Sequence, residues 1–275
     1  MSDSPEKETP TMAEVLHERV KWDLQDSVAR ITLADGAGNA LDLGMSLGIR
    51  EAAERVSAGA ADGSIRVAVL SAEGPRFSVG GDLGDFANAP VPGDRVKQCA
   101  DELHKAILAL SDSSVPVVSV VHSTVAGGGI GIALAADIVL IAEDAKIRTA
   151  YTAAGLSPDC GVTWALARRL GTARALELTL TNRMFTGSDA AAWGLVSRAV
   201  PADELMQVAE EIVSGLHSGP AGAYAETKRL MLAASQRDLA TQLDDEAATI
   251  HKQFVGPEGT EGVDAFLNKR APSFK

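Results

Sequence analysis

The stretch VPVVSVVHSTVAGGGIGIALAAD, Val115–Asp137, changes character twice within one run. It opens as a continuous apolar segment rich in Val, the signature of a strand buried on both faces. After His122, Ser123 and Thr124 come three consecutive glycines, Gly127, Gly128 and Gly129. The Ala/Ile/Leu run that follows favours helix by composition. Strand, glycine turn and helix in that order point free backbone N–H groups at an anion. The working question is which anion.

Composition narrows the answer. The chain has 275 residues, 46% hydrophobic and 23% charged, enough for one large core with a C-terminal appendage. A net charge of −12 argues against nucleic acid or an anionic membrane as partner, while leaving room for a phosphorylated ligand met by local basic side chains. Two cysteines, Cys99 and Cys160, are too few for a disulfide framework, which points to a reducing, cytoplasmic setting. No apolar run reaches the length of a membrane span, and Met1 to Thr11 is too polar for a signal peptide. Residues 1–13 read as a disordered tail, 14–200 as an α/β core and 201–275 as a helical region.

Along the chain, Val15 to Trp22 and Val28 to Leu33 read as strands around a polar turn at Asp23 to Ser27. Leu43 to Ala58 has helical spacing, and Arg66 to Ser71 is a short buried strand. A second glycine-bearing loop follows, AEGPRFSVGGDLGDF, and then an amphipathic helix over Asp94 to Leu110. Past the opening stretch, strands are expected at Asp137 to Ala142, Lys146 to Arg148 and Val196 to Val200. Helices are expected at Val162 to Leu170, Thr172 to Thr181 and Ser188 to Trp193, with about four more from Asp203 onward.

Each glycine turn follows a core strand. If those strands are neighbours, two backbone N–H groups converge and can stabilise the oxyanion of a thioester or ester that gains charge. The plain alternative is that the glycines permit tight turns and close packing. A dinucleotide site does not fit. The spacing G-x-G-x-x-G needs glycine at Ile132, and twenty residues beyond Gly127 stands Ile147 rather than an acid. A phosphate-gripping Lys-Ser/Thr pair and a G-x-S-x-G elbow are both missing.

At this point the sequence resembles a known family. NAL from Asn39, RFSVGGDL from Arg76 and PVVSVVHSTVAGGGIG from Pro116 carry the resemblance. GLSPD from Gly155, NR at Asn182, WGLV from Trp193 and FLNKR from Phe266 continue it. Together they look like the crotonase, or enoyl-CoA hydratase/isomerase, superfamily over about Val15 to Phe274. The resemblance implies an α/β spiral of ββα units with a C-terminal helical trimerisation region, and a homotrimer or dimer of trimers. The implied ligand is an acyl-CoA thioester, with coenzyme A part of the substrate, no separate cofactor and no metal. It places the oxyanion donors on the backbone N–H groups of Gly81 and Gly128. Val79, Asp82 and Leu83 fall where the family holds the coenzyme, and Lys269 matches a lysine that meets its phosphates. Asp82 also reads as a helix N-cap after the glycine turn, and Lys269 as a solvated helix-end lysine.

Family hydratases use two glutamates to activate water and deliver a proton. By the resemblance those positions are Gly131 and Tyr151 here, so ordinary hydration is disfavoured. Asp159, eight residues after Tyr151, resembles the aspartate of ring-epoxidised phenylacetyl-CoA isomerase and related enoyl-CoA isomerases. A single buried carboxylate of raised pKa can move a proton between carbons. The alternative is that Asp159 caps the helix starting near Val162. A second resemblance is to 4-chlorobenzoyl-CoA dehalogenase, whose matching aspartate attacks the ring. His104 stands at its histidine position and Tyr151 where it has tryptophan, while Gly81 replaces a bulkier ring-contacting residue; the plain alternative for His104 is a partly buried helix residue that only packs. Cys160 has no evident base and reads as pocket lining, and His122 as structural. Loss of the paired acids also leaves open a non-catalytic acyl-CoA-binding subunit.

Overall fold

The computed structural model describes residues 13–274. Apart from Ala13, the expected N-terminal tail lies outside the described residues. The chain opens with strands β1 (Glu14–Leu16), β2 (Val20–Gln25) and β3 (Val28–Leu33), paired antiparallel as two hairpins. The single strand expected over Val15 to Trp22 is broken because His17 and Glu18 take φ of 47° and 60°. The second turn is tighter than expected: Asp26 and Ser27 share left-handed φ of 47° and 61°. That is the backbone of a two-residue hairpin matched to strand twist.

From β3 the chain repeats one pattern: a long strand, a very short strand, a helix. The first turn adds β4 (Ala40–Leu41) and α1 (Leu43–Asp62). The second runs β5 (Val67–Ala72), β6 (Gly80–Gly81), α2 (Leu83–Asn88) and α3 (Pro92–Asp112). The third is the opening stretch itself, β7 (Val117–Val121), β8 (Val125–Ala126) and α4 (Gly128–Leu134). The fourth has β9 (Ile138–Ala142), β10 (Lys146–Arg148), a 3₁₀ turn, α5 (Val162–Leu170) and α6 (Thr172–Thr181). Then come β11 (Phe185–Thr186), α7 (Gly187–Ala192), β12 (Arg198–Val200) and α8 (Leu205–His217).

The long strands form a seven-stranded sheet in the order β1-β2-β3-β5-β7-β9-β12, parallel from β3 onward. The short strands stack beside it as a second ladder. β4 pairs with β6, Ser78 bridges Val125, and β8 pairs with β10, which pairs with β11. This is the expected spiral of ββα units. All five residues of β7 are buried, which explains its unbroken apolar sequence. The two-residue strands were not legible, because two residues carry no alternation.

α8 buries Leu205, Ala209 and Val213 and packs across β5, β7 and β9, so it belongs with the core rather than with a separate helical region. The three helices after it stand apart: α9 (Ala221–Ala234), α10 (Leu239–Val255) and α11 (Pro257–Leu267). Among the described residues α9 buries none, and α10 buries only the polar Gln242 and Thr249. Met231, Leu239, Ile250 and Phe254 are instead exposed. Lys228 of α9 anchors the group to the core. Its Nζ donates to the carbonyls of Leu110 and Val115 at 3.2 and 3.4 Å and to Asp137 Oδ2 at 2.9 Å. Both ends of the opening stretch therefore meet one lysine. Burial raises the Asp137 carboxyl above its ordinary value, opposed by the adjacent Lys228 charge.

Candidate active site

The strands carrying the two glycine turns are neighbours: β5 and β7 are parallel, with Ala68 beside Val117. Their turns touch. Gly80 and Gly127 lie in left-handed or related backbone, with φ of 85° and 51°. A Cβ on Gly80 would stand 3.2 Å from Gly127 Cα, so only glycines let the two chains approach this closely. The residues that follow, Gly81 and Gly128, both face one cavity. Gly128 is the first residue of α4, where a backbone N–H has no intrahelical partner. In β6 the Asp82 N–H donates to Leu41 O at 3.3 Å; alternation in a parallel ladder turns the Gly81 N–H away from β4. Gly81 and Gly128 thus both line the cavity beside the touching turns.

Asn39 explains the NAL motif. It is fully buried at φ 52°, and its Nδ2 donates to the carbonyls of Glu73 and Arg76, each at 2.9 Å. Ser78 Oγ returns a bond to Asn39 O at 2.8 Å. One side chain thereby fixes the loop that delivers Val79, Gly80 and Gly81.

The cavity holds about 320 Å³ and is largely apolar. One wall is α3, where Val96, Cys99, Ala100 and Leu103 recur at helical spacing. Val79 and Leu83 line it, with Phe86 beside Gly81. Asp82 does not line it. Its Oδ1 accepts from the N–H groups of Gly84 and Asp85 at 2.9 and 3.0 Å, the N-cap alternative. Lys269, just past α11, is likewise not among the lining residues of this chain. His122 Nε2 donates to Gly74 O at 3.0 Å, a structural tie.

The far wall is the loop after β10. Its start is pinned by Asn182, whose Oδ1 accepts from the Ala150 N–H at 2.8 Å, with Thr152 Oγ1 donating to Thr179 O at 2.8 Å. These bonds aim Tyr151, whose hydroxyl donates to Asp159 Oδ1 at 2.7 Å. Burial, then the Asp159 charge, push the Tyr151 hydroxyl far above its ordinary pKa, so it stays a donor. Asp159 does not cap α5. That cap is Gly161, without a side-chain bond, and the Asp159 carboxylate faces the cavity instead.

Between Asp159 and Gly161, Cys160 is held at φ 49°, and its backbone passes directly over α4 at Gly131. A Cβ at Gly131 would overlap the Cys160 carbonyl oxygen, with the carbonyl carbon at 2.9 Å and Cys160 Cβ at 3.0 Å. Gly131 therefore has no room for any side chain. Burial, then the neighbouring Asp159 charge, raise the Cys160 thiol well above its ordinary pKa, and burial raises Cys99. One grouping joins two residues that the dehalogenase resemblance had paired, His104 and Asp159, with a third, Cys160. His104, exposed on α3, brings its ring to the same point, and His104, Asp159 and Cys160 offer atoms within 4.8 Å of one another. The contact joins residues 55 positions apart, and no spacing rule reports it.

The family model described as enoyl-CoA hydratase/isomerase matches residues 23–275. A probable enoyl-CoA hydratase of Rhodobacter capsulatus is 33% identical over 93% of this chain and 97% of its own length. The 1,2-epoxyphenylacetyl-CoA isomerase of Escherichia coli is 34% identical over 78% of this chain and 82% of its own. Among solved structures, a putative enoyl-CoA hydratase/isomerase from Mycobacterium abscessus superposes with a TM-score of 0.85 at 31% identity, covering 93% of this chain and 99% of that one. The touching glycine turns, the spiral of ββα units and these matches lead to one conclusion: the chain belongs to the enoyl-CoA hydratase/isomerase family, on the crotonase fold.

Proposed function

We propose that the protein is an acyl-CoA isomerase that shifts a double bond, or isomerises a ring epoxide, with Asp159 as the single acid/base. The observation that carries this reading is the closed space at Gly131 beside an open carboxylate at Asp159. Water addition needs two proton-transfer groups; here one carboxylate faces the apolar cavity and the second acid's place holds Tyr151. The thioester oxygen would accept from the Gly81 and Gly128 N–H groups as the α-proton leaves, so the charge of the dienolate develops against donors already in place. Asp159 then returns the proton to a different carbon. Tyr151 orients the carboxylate and keeps one of its oxygens aimed inward. Val79 and Leu83 would flank the coenzyme arm, and Lys269 would serve its phosphates. The exposed apolar face of α9 to α11 supports assembly into trimers or paired trimers.

Turnover of 2-enoyl- and 3-enoyl-CoA isomers in D₂O tests the reaction. Deuterium entering the α- or γ-carbon without water in the product is expected, and Asp159→Asn should abolish turnover while acyl-CoA still binds. Water addition, or unchanged turnover in Asp159→Asn, refutes the assignment. Binding without turnover across enoyl-, dienoyl- and aryl-CoA panels would favour the non-catalytic subunit.

A second reading has its own observation: the His104 ring reaches Asp159. In a hydrolytic dehalogenation Asp159 would add to the halogen-bearing ring carbon of a haloaryl-CoA and halide would leave; water activated by His104 would then hydrolyse the aryl ester so formed, releasing hydroxyaryl-CoA and freeing the carboxylate. A covalent aryl adduct on Asp159 after a single turnover, sought by mass spectrometry, decides it.

A further inference from the structure

His104, Asp159 and Cys160 bring three different ligand types to one place: an imidazole nitrogen, a carboxylate oxygen and a thiol sulfur, all within 4.8 Å of one another. The proton shuttle proposed above uses neither the thiol nor the three groups as a set. We infer that they form a site for a thiophilic divalent cation of the zinc class, and that the cation, once bound, silences the enzyme by occupying the carboxylate.

The donor set selects the metal. Nitrogen, sulfur and one carboxylate suit Zn²⁺, Co²⁺ or Cd²⁺, whereas Mg²⁺ and Ca²⁺ want oxygen throughout. Tyr151 donates to Oδ1 of Asp159, and a carboxylate keeps its second oxygen and further lone pairs for a metal. Tetrahedral bonding at the usual Zn–N and Zn–S lengths sets donor atoms about 3.5 Å apart, so closing the site takes roughly 1 Å of movement. His104 can supply that movement because it is exposed on α3, while the other two ligands are held by their turn. Consecutive side chains on an extended chain point apart. The left-handed backbone at Cys160, φ 49°, is what lets Asp159 and Cys160 serve one point. Three protein ligands leave a fourth position, and Asp159 and Cys160 both line the substrate cavity, so that position is open to water or to the acyl group.

The test uses the full-length protein stripped with a chelator and titrated with Co²⁺ in the absence of substrate. One cobalt per chain with a sulfur-to-cobalt charge-transfer band is expected, displaced by Zn²⁺. Cys160→Ser should abolish the band, and His104→Ala, at an exposed position that leaves the fold intact, should weaken binding at least tenfold. Absence of the band in the parent protein, or binding unchanged in His104→Ala, overturns the site. Silencing, unlike binding, rests on the role given to Asp159. Turnover should fall in proportion to occupancy and return with chelator, and full activity with cobalt bound overturns that part alone. Because the spectroscopic readout needs no turnover, it stands or falls separately from the isomerase assignment.

Discussion

Replacing Gly131 by alanine should cost both stability and activity, although alanine is the better helix former. Gly131 lies inside α4, where Gly→Ala normally stabilises by about 0.8–1 kcal/mol. Here the new methyl would overlap the Cys160 carbonyl oxygen and approach the carbonyl carbon to 2.9 Å. The obstacle is backbone held by the Val162 N–H to Asp159 O bond at 3.0 Å, so it cannot swing aside as a side chain would. Overpacking that displaces backbone costs typically 1–3 kcal/mol, and the rigid obstacle puts this case near about 3. The net expectation is a loss of about 2 kcal/mol by urea unfolding monitored by circular dichroism. Asp159 is adjacent to the displaced carbonyl, and a shift of about 1 Å in a catalytic group can cost about a hundredfold in rate. Gly131→Glu should behave the same way and gain no hydration, because the space for the side chain is missing. Gly128→Ala is the contrast: its methyl would meet only Cys160 Sγ and Leu41 Cδ1 at 3.0 Å, side-chain ends that can yield. A Gly131→Ala protein more stable than the parent with turnover intact, or a Gly131→Glu protein that adds water to enoyl-CoA, would refute the reasoning.

Three further outcomes follow from the same contacts. Tyr151→Phe deletes the bond to Asp159 Oδ1; a hydrogen bond to a charged group is worth about 1.5–3 kcal/mol, so kcat should fall about ten- to a hundredfold with KM little changed. A matching loss in KM alone would place Tyr151 in binding rather than in orienting the carboxylate. Lys228→Met leaves the Asp137 carboxylate and two carbonyls without their shared donor, and should destabilise by about 2–4 kcal/mol in urea titration, less than a fully buried pair because Asp137 is partly exposed. Stability equal to the parent would show that the anchor is dispensable. Both thiols are raised by burial, which makes the reactive thiolate scarcer at a given pH than in a free cysteine. Native protein at pH 8 should therefore react with a small thiol reagent more slowly at Cys99 and Cys160 than denatured protein does; equal rates would contradict the raised thiols.

The long strands and most long helices were legible because each carries its own pattern. β7 shows an unbroken Val run, α5 and α6 were bounded by glycine and asparagine, and β10 stood between turns. Local sequence also determined the two glycine turns, and the family motifs pointed to the enoyl-CoA hydratase/isomerase family. The choice at Asp82 between cap and ligand and at Asp159 between cap and cavity could not be made locally, since both residues precede a helix and fit the same capping pattern. Tertiary structure gave Asp82 to its helix and turned Asp159 inward, because Gly161 had already taken the cap and Tyr151 supplied a partner from eight residues upstream. The closure at Gly131 belongs wholly to the tertiary level, and the approach of His104, which only the dehalogenase resemblance suggested, belongs to it as geometry. Each joins segments tens of residues apart, through a backbone crossing in one case and a helix face in the other. Periodicity and spacing describe how a chain meets itself over a few residues, so they determined the strands and glycine turns; only the packing of the Asp159 turn onto α4 and against α3 decided which chemical groups line the cavity beside them.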